Sequence, residues 1–422
     1  MLDIKFIREN LEKTKKLLER KNFKDEISSL LDADDRRKEL IQEIEQLRSE
    51  HKQKSKNHSR FSGEELDRLR EQKNKIAKLE TNLRAAEEAF KRNLLKFPNL
   101  PFDDVPAGKN ETENVVLREV GEKENFEFKP KDYLTLAQNL DIIDIERAGK
   151  VSGSRFGYLK GEAALLEFAL VQLAFSTLLP ENFRPIVPPV LIKKEMMQGM
   201  GYVDTAEDDE ERYFFEKDQM YLVGTSEQAI GPIFADEILK ESDLPARFLA
   251  FSSCFRREAG SYGKDTKGIL RVHQFDKLEM FSFCRSDKSR EEHIVFLQME
   301  EKLMKLLKIP YRVMHLCTGD ISRPAAETFD IEAWLPGQID GLGQYREVSS
   351  TSNTTDYQAR RLNIKYRDKD NKTQFAHMIN GTGFAIGRII ISILENYQTK
   401  EGFIRIPDAL LPWMHGISLI RR

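Results

Sequence analysis

FRREAGSYGKDTKGILRVHQFDKLEMF, residues 255–281, decides how this chain is read. The runs on either side of its Gly-, Ser- and Lys-bearing centre have the aromatic and β-branched content of strands. They predict one strand at 247–258, a long loop at 259–270 and a second strand at 271–284. Side chains alternate faces along a strand. On that parity Arg256 and Glu258 share one face, and Arg271, Phe275 and Glu279 share another. A half-buried strand ordinarily turns apolar residues to its covered side. Here a covered side carries guanidinium, aromatic ring and carboxylate together, which is the lining of a pocket more than of a core. A guanidinium suits an anion, above all a phosphate, through paired hydrogen bonds. Cross-strand salt bridging on a solvated sheet explains any one Arg/Glu pair, but not the whole set.

Outward from this hairpin, short β-type runs such as RPIVPPVL, QMYLV, RFLAFSSCF and YRVMHL alternate unevenly with helical stretches. These include GEAALLEFALVQLAFSTLL, SREEHIVFLQMEEKLMKLL and GFAIGRIIISILENY. Strands that do not interleave one for one with helices predict an antiparallel α+β sheet in preference to a doubly wound one. Toward the N-terminus the composition changes. FPNLPFDDVPAGKN (97–110) concentrates Pro and Gly and reads as a linker, so the chain is expected to divide into 1–110 and 111–422.

Between 27 and 97 there is a single Gly, Gly63, and no Pro. A thin apolar seam runs through Ala33, Leu40, Ile44 and Leu47, with Arg37 filling one position. It resumes through Leu69, Gln72, Ile76, Leu79, Leu83, Ala86 and Phe90. Steps of three and four with charges elsewhere predict an antiparallel α-helical coiled-coil arm, turned by NHSRFSG at 57–63. Beside the turn, HKQKSKNHSR holds Lys52, Lys54, Lys56 and Arg60 and no acid. A solvated hairpin tip accounts for such a run. So does a phosphate-binding surface held away from the body, which suits a large polyanion better than a metabolite. No aromatic accompanies the cations, so backbone and shape readout is expected in place of base stacking.

The chain's 422 residues suffice for two or three domains, and its 40% apolar content for a sizeable core. Lys and Arg total 67 against 70 acids, a net charge of −3 that excludes a uniformly basic coat but not a local patch. Cys254, Cys284 and Cys317 are too scattered for a disulfide framework or a zinc site, and no zinc is expected. The most apolar runs, 164–175 and 386–394, are shorter than a bilayer span, and MLDIKFIREN lacks the apolar core of a signal peptide. A soluble, cytoplasmic protein with no membrane partner is therefore expected.

A series of motifs carries a family resemblance over essentially the whole chain. FRREAG with GILRVHQFDKLEMF is similar to motif 2 of the class II aminoacyl-tRNA synthetases, in the form seen in seryl-tRNA synthetases. FRPIVPPVL (183–191) resembles motif 1 at the dimer interface, with Pro189 as its proline. GTSEQAI (224–230) resembles the TxE loop, EVSSTSN (347–353) the metal and ATP strand, and NGTGFAIGR (380–388) motif 3. MLDIKFIREN and the arm sit where that family has its own. Two positions depart: Asn182 precedes Phe183 where Gly is common, and Thr382 stands where Ser is frequent.

The resemblance implies an antiparallel-sheet class II catalytic core behind the coiled-coil arm. It implies a homodimeric enzyme that activates L-serine with ATP and Mg2+ and charges tRNA-Ser, with tRNA-Sec as a further substrate. Site roles follow by similarity. Arg256 would bridge the α-phosphate and the substrate carboxylate, with Arg257 in the same ATP site. Glu258 would accept from the adenine amino group, the backbone at Val272 would meet the ring, and Phe275 would stack on it. Arg388 would neutralise the γ-phosphate. Glu347 and Ser350 would be the magnesium ligands, with Val348 and Ser349 between them in the ATP site. Parity puts Glu347 and Ser350 on opposite faces, so this role needs a bulge or a strand end. Thr225 and Glu227 would hold the α-amino group of serine, with Ser226 beside them in the serine site, while Glu279 and Thr382 would read its hydroxyl with Asn380 in the same pocket. Arg256, Arg388 and Glu347 would carry the catalysis. Lys52, Lys54, Lys56 and Arg60 would contact the tRNA backbone.

Other readings compete. Thr225 with Gln228 also spells a capping box, and Thr382 could cap a helix beginning near Phe384. GTGFAIG (381–387) is superficially a dinucleotide fingerprint, but a Rossmann unit needs a βαβ context and a ribose-binding acid about 20 residues on. Only 35 residues follow Gly387. An amino acid–carrier protein ligase would lack the arm. A catalytically inactive, RNA-binding synthetase fold would have no reason to keep Arg256, Glu258, Glu347 and Arg388 together.

Overall fold

The structure, a computed structural model, describes residues 1–24, 26–56, 62–259 and 267–422. It divides into two compact units, Met1–Pro98 and Asn99–Arg422. The boundary falls at Pro98 and not at 110. Residues after Pro98 already belong to the second unit: Asn99 N–H donates to Arg323 O at 2.8 Å, Phe102 N–H to Ala326 O at 3.1 Å, and Asn99 Nδ2 to Thr354 O at 2.8 Å. The Pro- and Gly-rich segment is thus irregular backbone satisfied by tertiary partners.

The first unit is built on two long helices, α1 (Ile27–Lys56) and α2 (Gly63–Leu95). Helix α2 starts in a capping box, Ser62 with Glu65. Leu40 and Ile44 are buried on α1, and the partly covered residues of α2 recur at Leu69, Gln72, Ile76, Leu79, Leu83, Ala86 and Phe90 as expected. Lys75–Glu43 at 3.0 Å and Arg48–Glu80 at 2.7 Å bridge the helices outside the seam. Toward the base the seam takes in a polar residue: Asp34, next to the expected Ala33, is fully buried, as is Leu30 one turn before it. The Asp34 carboxylate meets Arg8 Nε at 2.8 Å, Arg37 Nη2 at 2.8 Å and Lys38 Nζ at 2.7 Å. Burial alone would raise the Asp34 carboxyl, but Lys38, Arg37 and Arg8 outweigh it and hold it down at about 2.

A depressed carboxylate contributes stability above its unfolded value near 4 and loses it as pH falls toward 2. Asp34→Asn should therefore weaken the base of the arm by about 1–2 kcal/mol at pH 7, after screening of its partly exposed partners. Hydrogen exchange of the α1 and α2 amides in the full chain measures this. Protection equal to wild type would refute it.

The second unit carries an eight-stranded sheet: β1 (Val115–Val120), β2 (Arg184–Ile186), β3 (Ala246–Phe255), β4 (Gln274–Cys284), β5 (Tyr311–His315), β6 (Glu327–Leu335), β7 (Gln344–Thr355) and β8 (His377–Ala385). Their spatial order is β1-β5-β6-β7-β8-β4-β3-β2. All neighbours are antiparallel except β2 and β3. This is the α+β architecture expected. Three helices pack around it, α3 (Glu162–Leu178), α4 (Ser289–Leu306) and α5 (Ile386–Asn396). Strand β4 shows how one face becomes core and the other a site. Leu278, Met280 and Cys284 join the main core with Phe296 of α4 and Ile390 of α5. On the other face Phe281 and Phe283 enter a second cluster with Ile230 and Met378. Between the two clusters Phe275, Lys277 and Glu279 are left facing a cavity.

Helix α3 runs past the apolar stretch 164–175. With the turn that follows it, Glu162–Glu181 is long and apolar enough to cross a membrane by length and composition, contrary to the expectation that no run reaches that length. Here Leu166, Leu170, Leu173, Ala174 and Leu178 are buried in the main core, which accounts for the apolarity. Asn182, just beyond, has φ 64°, the left-handed region that favours Gly and tolerates Asn best among other residues. That is why Asn can stand before Phe183.

Candidate active site

The two flanks of the opening segment end earlier than their residue types predict. Strand β3 stops at Phe255 and β4 starts at Gln274. Arg256, Glu258 and Arg271 therefore lie on irregular backbone, and strand parity is not what gathers them. Arg256 N–H donates to His273 O at 3.0 Å, and Glu258 sits at φ 53°. The residues converge nonetheless. Arg271 Nη1 meets Glu258 Oε2 at 3.1 Å, and the Arg256 guanidinium lies 5.4 Å from the Phe275 ring centroid while its Nε donates to Gly224 O at 3.1 Å.

These side chains line a cavity of about 240 Å³. Its walls include Thr225, Glu227, Arg256, Glu258, Val272, Phe275, Glu279, Glu347, Val348, Ser349, Ser350, Asn380, Thr382 and Arg388. Two expected residues are not on its walls. Ser226 is buried behind them, its Oγ 2.7 Å from Ser252 Oγ. Arg257 points away, with Nε donating to Arg212 O at 2.9 Å and its guanidinium 5.0 Å from the Tyr213 ring.

Glu347 and Ser350 meet the cavity together because the register of β7 against β6 slips between Ile331 and Glu332, leaving Val348 as the extra residue. Arg388, in the first turn of α5, holds Glu347 Oε1 at 2.9 Å and Glu347 O at 3.1 Å. Enclosure would raise the Glu347 carboxyl, but Arg388, Arg256 and Arg271 together keep it below the usual carboxylate range. Ser350 stands opposite Asp330, whose Oδ1 is buried without a hydrogen-bond partner. The Glu347 carboxylate and the Ser350 hydroxyl on the cavity wall are hard oxygen donors that fit magnesium. Among the described residues no three His, Cys, Asp or Glu side chains form a metal-binding group, so such an ion would take most of its ligands from phosphates and water.

A second slip, between Leu278 and Glu279, sets Glu279 directly opposite Thr382 across β4 and β8. Gly383 is the residue passed over. Thr382 is therefore a strand residue: α5 begins at Ile386 with Ala385 as its N-cap, and the expected helix cap does not form. The Thr225–Gln228 box is also displaced. Thr225 Oγ1 accepts from Glu227 N–H at 3.4 Å, and Gln228 Oε1 accepts from Gly224 N–H at 2.8 Å. Burial pushes the Glu279 carboxyl up to about 7, against the pull of its ion-pair partner Lys277. Burial raises Glu227 as well, despite the Tyr202 hydroxyl donating to it.

Lys277, Tyr202 and Arg212 also line the cavity, with Asp330 close behind Ser350, though none of the four is among the residues expected there. The parity that pairs Phe275 with Glu279 marks Lys277, the residue between them. Tyr202, Arg212 and Asp330 sit where no periodicity or motif marks them.

On the first unit, Lys52 and Lys54 are exposed near the end of α1, and Lys56 closes that helix. Arg60 lies outside the described residues.

The family described as the tRNA synthetase class II core domain (G, H, P, S and T) matches residues 213–397, and the seryl-tRNA synthetase N-terminal domain matches residues 1–101. A serine–tRNA ligase of Dictyoglomus turgidum is 43% identical over 100% of this chain and 99% of its own length. The chain belongs to the seryl-tRNA synthetase family. A second serine–tRNA ligase, from Borrelia garinii, is 41% identical over 98% of each chain. Among solved structures, the family's enzyme from Pyrococcus horikoshii, complexed with ATP, superposes with a TM-score of 0.91 at 37% identity, over 100% of this chain and 99% of that one. The Naegleria fowleri serine–tRNA ligase in complex with AMP gives 0.89 at 32% identity over the same shares.

Proposed function

We propose that the chain is a class II serine–tRNA ligase that activates L-serine with ATP and transfers the seryl group to tRNA-Ser, with tRNA-Sec as a second acceptor. The observation that carries this reading is the single cavity in which Arg256, Glu347 and Arg388 face Glu227, Glu279 and Thr382. Cations surround the place for phosphates, and buried carboxyls surround the place for an amino acid bearing a hydroxyl. In the first step a serine carboxylate oxygen bonds to the α-phosphorus of ATP as the bond to pyrophosphate breaks. In the second, the terminal adenosine of tRNA takes the acyl group and AMP leaves.

Arg256 holds negative charge where two anions must approach, Arg388 steadies the departing pyrophosphate, and Phe275 with Val272 and Glu258 fixes adenine. Positioning and fixed charge suffice, and no protein nucleophile is required. Magnesium bound by Glu347 and Ser350 would add charge neutralisation on the phosphates. Thr225 and Glu227 take the α-amino group.

Lys52, Lys54, Lys56 and Arg60 on the arm meet the RNA backbone. Phe168 and Val187 expose apolar surface, 62% and 82%, near and within the motif 1 segment, which supports a homodimer. Three free, buried cysteines suit a reducing cytoplasm.

Amino-acid-dependent ATP–pyrophosphate exchange with all twenty amino acids tests the reading. Serine alone should support exchange. A site that hydrogen-bonds a substrate hydroxyl can reject its deoxy analogue by about 10⁴-fold, so Glu279→Ala should shrink the serine/alanine ratio of kcat/KM by about 10²-fold or more. Exchange driven by another amino acid, or an unchanged ratio in the variant, would refute the assignment.

A further inference from the structure

Two guanidinium groups face the amino-acid side of the cavity. Arg212, just after the short helix Ala206–Glu210, lines it beside Arg256 and Thr225. The pair closes over Gly224: a Cβ built there would stand 3.4 Å from Arg212 Nη1 and 3.5 Å from Arg256 Cγ. Tyr202 forms the shelf beneath, its ring centroid 5.5 Å from the Arg212 guanidinium, and its hydroxyl donates to Glu227.

Arg212 and Arg256 differ from the other guanidinium groups on the wall in having no ion-pair partner among the described residues, and Arg212 alone of the two leaves its Nε without a hydrogen bond. Arg388 is paired with Glu347 and Arg271 with Glu258. Arg212 makes no ion pair with a described residue, and its Nε is buried without a hydrogen bond. Burial, and after it the like charge of Arg256, press the guanidinium below its usual value. Asp208 and Glu211 act on it only from beyond ion-pair distance, so its burial is incompletely compensated, and the cost falls when an anion enters.

The carboxylate of an amino acid fits this vacancy in chemistry and in place. A guanidinium fork matches a carboxylate, and the α-carboxylate is joined to the same carbon as the α-amino group proposed to sit at Glu227, one residue contact away through Tyr202. We propose that Arg212 is a second carboxylate-binding residue, which holds the serine α-carboxylate alongside Arg256 before the attack on ATP. This rests on the serine-activating reading of the same cavity. As the carboxylate oxygen bonds to phosphorus, its charge passes to the departing pyrophosphate. Arg212 thus assists substrate entry more than retention of the product.

The test compares L-serine with L-serinamide, in which a neutral amide replaces the carboxylate. A charge-assisted hydrogen bond corresponds to about a 10- to 100-fold change in affinity. In pyrophosphate exchange, Arg212→Gln should raise KM for L-serine by about 10-fold or more. The inhibition constant of L-serinamide and KM for ATP should stay within about twofold of wild type, which also reports an intact fold. Arg212→Lys should restore part of the serine affinity. Equal weakening of L-serine and L-serinamide would make Arg212 a prop for Tyr202 and overturn the proposal. So would a shift in KM for ATP, which would place the residue on phosphate, or an unchanged KM for L-serine. Wild-type protein without serine-dependent exchange would instead overturn the underlying reading, and this assignment with it.

Discussion

Arg256→Ala is expected to lower serine-dependent pyrophosphate exchange by about 10³-fold or more. Loss of one neutral donor aimed at developing charge costs about 10²- to 10³-fold, and Arg256 brings a full charge. Arg388 is bound to Glu347, and Arg271 to Glu258, so neither is available to move across the cavity, and Arg212 beside it is proposed for the serine carboxylate, not the α-phosphate. Removing Arg256 further deprives Glu227, Glu279 and Glu347 of a cation that lowers each of them. Those carboxyls then shift toward protonation, and the two that meet serine become poorer acceptors. Arg256→Lys keeps the charge but not the planar fork, and should recover only part of the loss. The drop should appear in kcat as well as kcat/KM, because the contact tightens as the pentavalent phosphorus forms. A variant that changed only KM would show that Arg256 binds ground state and transition state equally. Exchange within tenfold of wild type would remove it from the mechanism.

Shortening the arm should separate the two half-reactions. Joining residue 43 to residue 75 through a short Gly-Ser turn cuts the hairpin at the Lys75–Glu43 ion pair and keeps Leu30, Leu40 and Leu94 buried at its base. Serine-dependent exchange should remain within about twofold of wild type, since every residue lining the cavity lies in the second unit. Charging of tRNA-Ser should fall by about 10²- to 10³-fold at physiological salt, as several cation–phosphate contacts are lost together. A milder variant, Lys52→Gln with Lys54→Gln, should flatten the salt dependence of tRNA affinity by about one unit of slope for each contact removed. Loss of exchange in the shortened protein would mean that the arm supports the catalytic unit itself. Undiminished charging would mean that the arm does not hold the tRNA.

Legibility in the sequence tracked the range of the interaction concerned. The arm seam from Leu69 to Phe90 could be read directly because a helix repeats locally and its neighbour is the next helix in the chain. The cavity lining was legible from residue types quoted in motifs: Arg256, Glu258, Phe275, Glu279, Glu347 and Arg388 all reach it. Strand parity does not bring Arg256 and Glu258 together, since both lie past the end of β3 on backbone that it does not govern. Parity at Glu347 and Ser350 correctly demanded a bulge, and the register slip at Val348 supplies it. Ser226 and Arg257 were misplaced because adjacency in a motif says nothing about which way a side chain turns at an irregular bend. Asp34 was overlooked beside Ala33 because an acid in a seam looks like a fault until three cations are seen around it.

The class of fold, the separation of a helical arm from an antiparallel α+β core, and the chemical character of the site are all written in the residue order. Composition, periodicity and side-chain chemistry are local properties, and they survive in one dimension. Tertiary contacts set which side chains share the cavity, that two register slips aim Glu279, Thr382, Glu347 and Ser350, and that Arg212 stands beside Arg256 with no ion-pair partner among the described residues. Each of these depends on distances between segments far apart in the chain, and an unpaired charge is defined by everything around it, which no single stretch of sequence contains.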